Sequence, residues 1–235
     1  MNNLPLNIAV PGNAGIPAGQ PSHKGWYSRG YLPHLDQPGL IQTLVFRLFD
    51  AVPEHVVEQW RIELNWCEGL AAADPREVQL RNRIARYEDA GHGSCWLRRQ
   101  QIADMVENTL LFFDGNRYRV LAWCIMPNHV HVLIETHEGW PLFSIAHSWK
   151  SFSATEANKI LRRAGTFWFR ESYDRYIRNQ KHLQAAQEYI DNNPVAAGLV
   201  NAKEKWPWSS AGGKRVEEMP ARMPAVPDGH QDNDD

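Results

Sequence analysis

Two histidines separated by one residue, His129 and His131, are the side chains of this sequence best suited to binding a metal ion. They follow the turn-forming pair Pro127 and Asn128 and begin an apolar run that is typical of a β-strand. Side chains two apart in a strand point to the same face, about 6.6–7 Å apart, so both imidazoles can reach one ion. The spacing alone leaves the alternative of a structural histidine pair open.

Tyr189 and Asn193 lie one helical turn apart near the end of the last predicted helix, so they project from one helix face. Taken alone, each has an ordinary explanation: a tyrosine on an amphipathic helix is usually a core residue, and an asparagine before Pro194 is a common helix stop. Together with the histidines, they add an oxygen ligand and a phenol. A phenol with a pKa of about 10 is a weak nucleophile, and a divalent ion that polarises a phosphate compensates for this.

The elements that must position these residues follow the order of an α+β domain with an antiparallel sheet. Apolar runs predict strands, and apolar residues at helical spacing predict helices. In chain order we predict a strand at 40–48, helices at 74–91 and 97–113, strands at 118–126 and 129–135, a helix after Gly139, a short edge strand within 167–176, and a helix from the cap Asn179 to Asn192.

Composition indicates a globular protein, since 43% of its 235 residues are hydrophobic. No run approaches the roughly 18 apolar residues of a membrane span, so we expect a cytoplasmic protein. The three cysteines, Cys67, Cys95 and Cys124, fit neither a disulfide framework nor a metal knuckle. A net charge of −2 argues against nucleic acid, but residues 141–181 hold eight Lys or Arg against three Asp or Glu, which leaves a local basic face.

Three blocks of the sequence resemble the REP-associated tyrosine transposases, which belong with the IS200/IS605 transposases to the single-tyrosine HUH superfamily. The blocks are residues 124–134 around the histidine pair, residues 189–200 with Tyr189 and Asn193, and the Trp-Pro-Trp-Ser-Ser sequence of residues 206–210. They occur in the family's order, and the resemblance spans residues 26–210. It implies a ferredoxin-like antiparallel sheet with helices on one face.

The resemblance also implies the chemistry of the site. His129 and His131 would bind Mg²⁺ or Mn²⁺, Tyr189 would form a 5′-phosphotyrosine intermediate, and Asn193 would be the third ligand where related transposases have Gln. Ligand chemistry by itself favours Mn²⁺ or Zn²⁺ for two imidazoles, so the identity of the metal rests on the resemblance.

The substrates implied by the resemblance are single-stranded DNA hairpins of REP type with a short flanking guide sequence. Insertion-sequence relatives work as dimers, which leaves a homodimer open here. Candidate DNA-binding residues fall into three groups. Arg29 and His34 lie in a segment that either resembles the family's guide-reading segment or is an ordinary loop. The candidate phosphate contacts, which could instead be charges that only solvate helix faces, are Lys150, Arg163, Arg175 and Arg178. Trp206 or Trp208 would stack on an unpaired base.

For domain organisation we predict one transposase domain at 23–212, with a disordered lead-in at 1–22 and a disordered acidic tail at 213–235. A helical insertion after the first strand, at about 52–113, is longer than the minimal fold needs. Two rival functions remain. A histidine-triad nucleotide hydrolase would continue the pattern with a third histidine, but Leu133 occupies that position. A non-catalytic protein that binds single-stranded DNA hairpins would keep the fold without turnover.

Overall fold

The structure is a computed structural model that describes residues 25–28, 33–71 and 73–212, with side chains described from residue 37 onward. The predicted lead-in and acidic tail lie outside these residues. The strands are β1 (Gly25–Ser28), β2 (Pro33–Asp36), β3 (Ile41–Arg47), β4 (Tyr118–Ile125), β5 (His129–Thr136) and β6 (Tyr173–Tyr176), and the helices are α1 (Glu54–Glu63), α2 (Pro75–Asp89), α3 (Gln100–Leu111), α4 (Leu142–Leu161) and α5 (Gln180–Ala196). None of the helices described is long and apolar enough to cross a membrane.

Strands β3 to β6 form one antiparallel sheet in the order β4-β5-β3-β6, while β1 and β2 pair with each other as a separate hairpin. The chain order of the larger sheet is strand, helix α3, two strands, helix α4, strand. This connectivity with this strand order is the ferredoxin-like arrangement. The predicted fold class is therefore confirmed, and β6 is the short edge strand expected within 167–176.

Both faces of the sheet are apolar, and different helices cover them. Leu44 and Val132 belong to a core that includes residues of α3 and α4, whereas Leu133 packs on the opposite face with Ile190 of α5. The resemblance implied helices on one face only. Helix α5 instead covers the opposite face, because a sheet that is apolar on both faces needs a helix or another layer on each. Since side chains alternate along β5, His131 points to the same face as Leu133, the face under α5.

Helix α2 begins where the sequence predicts, because the Asp74 side chain accepts a hydrogen bond from the Arg76 backbone N–H at 2.8 Å. It ends at Asp89, and Gly91 follows with a φ of 72°, a conformation that glycine adopts without strain. Helix α3 supplies the first crossover of the ferredoxin-like order. Within the expected insertion of about 52–113, only α1 and α2 therefore lie outside that order.

Helix α5 begins after the predicted cap, since the Asn179 side chain accepts a hydrogen bond from the His182 N–H at 2.8 Å. The expected end at Asn192 is wrong, because the helix continues through Pro194 to Ala196. A proline in the last turn removes a single donor, and the Pro194 carbonyl still accepts from the Leu199 N–H at 2.9 Å. Asn193 consequently keeps helical geometry, one turn beyond the preceding Tyr189.

The C-terminal segment, residues 206–210, runs beside β4. The Ile125 N–H donates to the Trp208 carbonyl at 2.9 Å, and the backbones of Cys124 and Ser209 pair as an isolated antiparallel β-bridge. The Ser210 hydroxyl donates to Asp191 of α5 at 3.2 Å. The segment therefore ties β4 to α5.

Candidate metal and tyrosine site

The two histidines of β5 converge under α5. Their Nε2 atoms lie 2.8 Å apart, and the two side chains are almost fully buried, at 1% and 5% exposure for His129 and His131. Two ligands at right angles on one divalent ion, each with a bond of about 2.1 Å, are about 3 Å apart. The imidazole tips thus already have the separation that a shared ion requires.

Asn128 fixes which nitrogen of His129 is free. Its amide Nδ2 donates to the His92 carbonyl at 2.9 Å, which turns its Oδ1 toward His129 Nδ1 at 2.7 Å. Because Oδ1 is an acceptor, Nδ1 must carry the proton, and Nε2 keeps its lone pair. An outer hydrogen bond that sets the tautomer of a ligating histidine is a common feature of metal centres.

Asn193 reaches the same point from α5. Its Nδ2 lies 3.0 Å from His131 Nε2, so the asparagine side chain is long enough despite being one methylene shorter than Gln. Its Oδ1 is buried and has no hydrogen-bond partner. Turning the amide by half a rotation would present this oxygen to the histidines as a ligand.

Tyr189 stands beside this group at the surface. Its side chain is 51% exposed, and its ring lies edge-on to His131 with centroids 5.6 Å apart, so it is not a core residue. Partial burial raises the pKa of the phenol to about 12, with further contributions from the nearby carboxylates of Asp89 and Glu88, while a hydrogen bond with Asn193 opposes the shift. At neutral pH the free protein therefore holds a protonated phenol.

Asp89 is a site residue that the sequence did not reveal. Its Oδ1 lies 3.6 Å from His129 Nε2, and ligand atoms of Asp89, His129 and His131 all lie within 4.8 Å of one another. The contact is not an ion pair, because burial lowers the pKa of His129 well below its usual value and leaves the ring neutral. The one available signal was an acid at the C-terminal end of a helix, where a carboxylate is unfavourable without a nearby cation.

The electrostatics of the site suit a divalent cation. Burial lowers the pKa of His131 to about 4, so both imidazoles are neutral at physiological pH, the form in which they bind metals. The two imidazole nitrogens, the Asn193 amide oxygen and the Asp89 carboxylate are all atoms that can act as metal ligands. These residues fit a divalent ion.

Comparison with known proteins finds similarity in the part of the chain that holds the site. Residues 98–193 match the family model described as IS200-like transposase, and this span contains both histidines, Tyr189 and Asn193. This part of the chain is similar to the IS200-like transposases. The family resemblance drawn from the three sequence blocks is confirmed.

Two curated proteins that are similar to this chain carry related names. A putative REP-associated tyrosine transposase of Haemophilus influenzae is 28% identical over 103 residues, which are 40% of this chain and 58% of the relative. A REP-associated tyrosine transposase of Escherichia coli K12 is 27% identical over 93 residues, 40% of this chain and 54% of the relative. The chain thus spans about half the length of the curated relatives it matches.

A solved REP-associated tyrosine transposase bound to a REP hairpin is 15% identical to this chain, with a TM-score of 0.46, and the match covers 86% of this chain and 98% of that one. A putative transposase from Deinococcus radiodurans is 12% identical with a TM-score of 0.31, covering 71% of this chain and 96% of the other.

Three of the residues predicted to contact DNA are instead engaged in contacts within the fold. Trp206 is 9% exposed and donates to the Ile125 carbonyl at 3.0 Å, so it is a core residue and the expected stacking on a base is wrong for it. Lys150 donates to the carbonyls of the chain before β6, and Arg163 binds the Thr166 carbonyl. The sequence shows that these side chains are charged, but it does not show that nearby backbone carbonyls accept their hydrogen bonds in the folded protein.

Arg175 and Arg178 have a different position. They follow one another from the edge strand β6 to the start of α5, and Arg175 is exposed. Both lie close enough to His182 to lower the pKa of its imidazole, after the larger effect of burial. Arg29 lies outside the described residues, and of His34 the structure describes only the backbone, in β2.

Proposed function

We propose that this protein is a divalent-metal-dependent transposase that cleaves and rejoins single-stranded DNA through a phosphotyrosine at Tyr189. The observation that carries the proposal is the position of the phenol. Tyr189 is half-exposed, so DNA can reach it, and its ring contacts His131 at a centroid distance of 5.6 Å. The nucleophile and the candidate ligands therefore meet at one point of the surface.

His129, His131 and Asn193 would hold the ion, which we take to be Mg²⁺ or Mn²⁺. When bound, a divalent ion draws charge from the phosphoryl oxygens and orients the scissile phosphate for in-line attack. Burial keeps the two imidazoles neutral, and Asn128 keeps the free lone pair of His129 turned toward the ion.

In the proposed reaction, Tyr189 is the nucleophile. Its phenol oxygen bonds to phosphorus as the bond from phosphorus to the 3′ oxygen breaks; the phenol loses its proton and the departing 3′ oxygen gains one. In the free protein the pKa of the phenol is about 12, so the phenol is protonated and must lose its proton on the way to the phosphotyrosine. The product is still a phosphodiester, so a DNA 3′-hydroxyl can reverse the step and join a new strand without a nucleotide cofactor.

For the substrate, we propose single-stranded DNA hairpins with short flanking guide sequences, as the family resemblance implies; the names of the curated relatives support the REP part of this proposal. Arg175 and Arg178 support this choice. They place two positive charges just before the N-terminus of α5, where a helix also attracts phosphate. These two arginines are the phosphate contacts that we retain from the sequence-based candidates.

The test is formation of a denaturant-resistant protein–DNA adduct. The full chain is incubated with Mg²⁺ or Mn²⁺ and a 5′-flanked single-stranded hairpin, and products are separated under denaturing conditions. We expect an adduct with the wild type, none with Tyr189→Phe, and retained DNA binding by that variant. Tyr176→Phe, which removes the phenol of β6, is the matched control and should form the adduct normally.

The metal role has its own variant. His129→Ala should remove metal-dependent cleavage while leaving hairpin binding, whereas unchanged cleavage would show that the histidines are structural. Hairpin binding by the wild type without any adduct, in either metal, would favour the non-catalytic binding protein instead. An adduct that persists in Tyr189→Phe would refute the nucleophile assignment.

A further inference from the structure

Asp89 lies where the additional helix α2 meets the two histidines. We propose that Asp89 is a fourth protein ligand of the divalent metal, so that α2, outside the ferredoxin-like order, completes the metal centre. This inference rests on the proposed function, since it requires that the histidine pair binds metal. It gives a role to the helical insertion, for which the sequence indicated none.

The distances suit direct ligation. Asp89 Oδ1 is 3.6 Å from His129 Nε2, and the Asp89, His129 and His131 ligand atoms lie within 4.8 Å of one another. On an ion with bonds of about 2.1 Å, ligand atoms are separated by about 3 Å at right angles and about 4.2 Å when opposite. The 3.6 Å between Asp89 and His129 lies between these values, whereas the 4.8 Å limit for the whole group lies above them, so ligation requires side-chain rotation.

The Asp89 carboxylate is held in place by its neighbour in the chain. Glu88 forms an ion pair of 2.9 Å with Arg47 of β3, and both side chains are largely buried, at 8% and 15% exposure. Arg47 is paired with His129 across the sheet. The end of α2 is therefore tied to the strand next to the histidines, and Asp89 cannot move far from them.

The position in the helix gives a second, independent argument. Asp89 is the last residue of α2, where the negative end of the helix dipole disfavours a carboxylate. Glu88 is compensated by Arg47, whereas no lysine or arginine of the described chain forms an ion pair with Asp89. A metal cation at the histidines would supply the missing compensation.

A carboxylate also changes which metal the centre prefers. Two imidazoles and one amide oxygen suit Zn²⁺ at least as well as Mg²⁺ or Mn²⁺. Adding an anionic oxygen ligand moves the set toward the hard cations. Asp89 would therefore add the type of ligand that Mg²⁺ and Mn²⁺ prefer.

The first experiment measures Mn²⁺ binding to the full chain, without DNA, by titration calorimetry and by the electron paramagnetic resonance of the bound ion. Asp89→Asn should weaken binding at least tenfold and change the spectrum, while the thermal stability of the metal-free protein stays near that of the wild type. Glu188→Gln is the matched control, because it removes one carboxylate from the exposed face of α5 just before Tyr189. It should bind Mn²⁺ as the wild type does.

The His131→Gln variant distinguishes a failure of the proposed metal site from a failure of the role proposed for Asp89. If His131→Gln still binds Mn²⁺ like the wild type, the metal site of the proposed function is wrong. If His131→Gln loses binding but Asp89→Asn retains wild-type affinity and spectrum, only the role of Asp89 is refuted.

A second variant tests direct contact with the ion. Asp89→Cys places a thiol where the carboxylate stands, and a thiolate prefers soft metals. With Cd²⁺ this variant should show an ultraviolet thiolate-to-metal charge-transfer band in addition to any absorption that the wild type gives through its own three cysteines. Wild-type absorption in the Asp89→Cys variant would exclude direct ligation from this position.

Discussion

Asn128 offers the sharpest test of how the site is prepared for metal. Its side chain is fully buried and joins the His92 carbonyl to His129 Nδ1 through hydrogen bonds of 2.9 and 2.7 Å. In Asn128→Ala, the imidazole of His129 loses the acceptor that holds its proton on Nδ1. We expect Mn²⁺ affinity to fall about 10- to 100-fold, or about 1.4–2.8 kcal/mol, the usual effect of removing such an outer hydrogen bond.

Asn128→Ala should also destabilise the metal-free protein. It removes the amide donor from the His92 carbonyl and leaves the buried imidazole N–H of His129 without a partner, and the second loss costs about 1–3 kcal/mol. Asn128→Asp is the informative comparison, because its carboxylate still accepts the His129 Nδ1–H but cannot donate to the His92 carbonyl. We expect Asn128→Asp to lose stability like the alanine variant yet keep most of the Mn²⁺ affinity.

Urea unfolding of the metal-free proteins and calorimetric Mn²⁺ titrations measure the two effects separately. If Asn128 acts by fixing the tautomer of His129, Asn128→Asp should lose stability but keep most of its Mn²⁺ affinity. If both variants lose affinity equally, Asn128 acts only by supporting the turn. If Asn128→Ala binds Mn²⁺ within twofold of the wild type, the hydrogen bond to His129 has no part in metal binding.

Three further predictions concern stability and DNA contact. The pKa of His131 is about 6.5 in the unfolded chain and about 4 in the folded protein, so the neutral imidazole stabilises the fold fully above pH 6.5. Acidification from pH 6.5 to 4 should lower the free energy of unfolding by on the order of 3 kcal/mol. Urea unfolding measured against pH should show this loss, with a shallower slope in His131→Gln. Trp206→Phe loses the bond to the Ile125 carbonyl and should cost about 1 kcal/mol of unfolding free energy without weakening hairpin binding; weaker binding at unchanged stability would restore a stacking role. Arg175→Ala should lower the slope of log hairpin affinity against log salt concentration by about 0.7, because one phosphate contact is lost. Lys150→Ala should lower stability and leave that slope unchanged. Equal slopes in the two variants would contradict these assignments.

The parts of the site predictable from sequence are those set by local periodicity. His129 and His131 share a face because strand side chains alternate, and Tyr189 and Asn193 share one because a helix turn spans four residues. Their meeting point follows from the family resemblance, not from either pattern alone. The ferredoxin-like class is likewise confirmed.

Other features depend on contacts between distant segments, which local patterns do not contain. Asp89 belongs to a polar helix end, and nothing nearby in the sequence shows that it faces the histidines. Amphipathic patterning indicates that α5 needs an apolar partner, but not which face of the sheet provides it. Trp206 has both an apolar ring and a donor, so its sequence environment fits a base-stacking residue and a core residue equally well.

The pairing of residues 206–210 with β4 has a consequence for truncation and fusion. β4 is the outermost strand on its side of the sheet, and without this segment its free backbone groups would be open to pairing with another molecule. A chain shortened before Trp206 should therefore tend to self-associate through β4. The Ser210–Asp191 bond that holds α5 would be lost as well. Tags or shortened versions intended to preserve the tyrosine helix need to leave the Trp-Pro-Trp-Ser-Ser sequence whole.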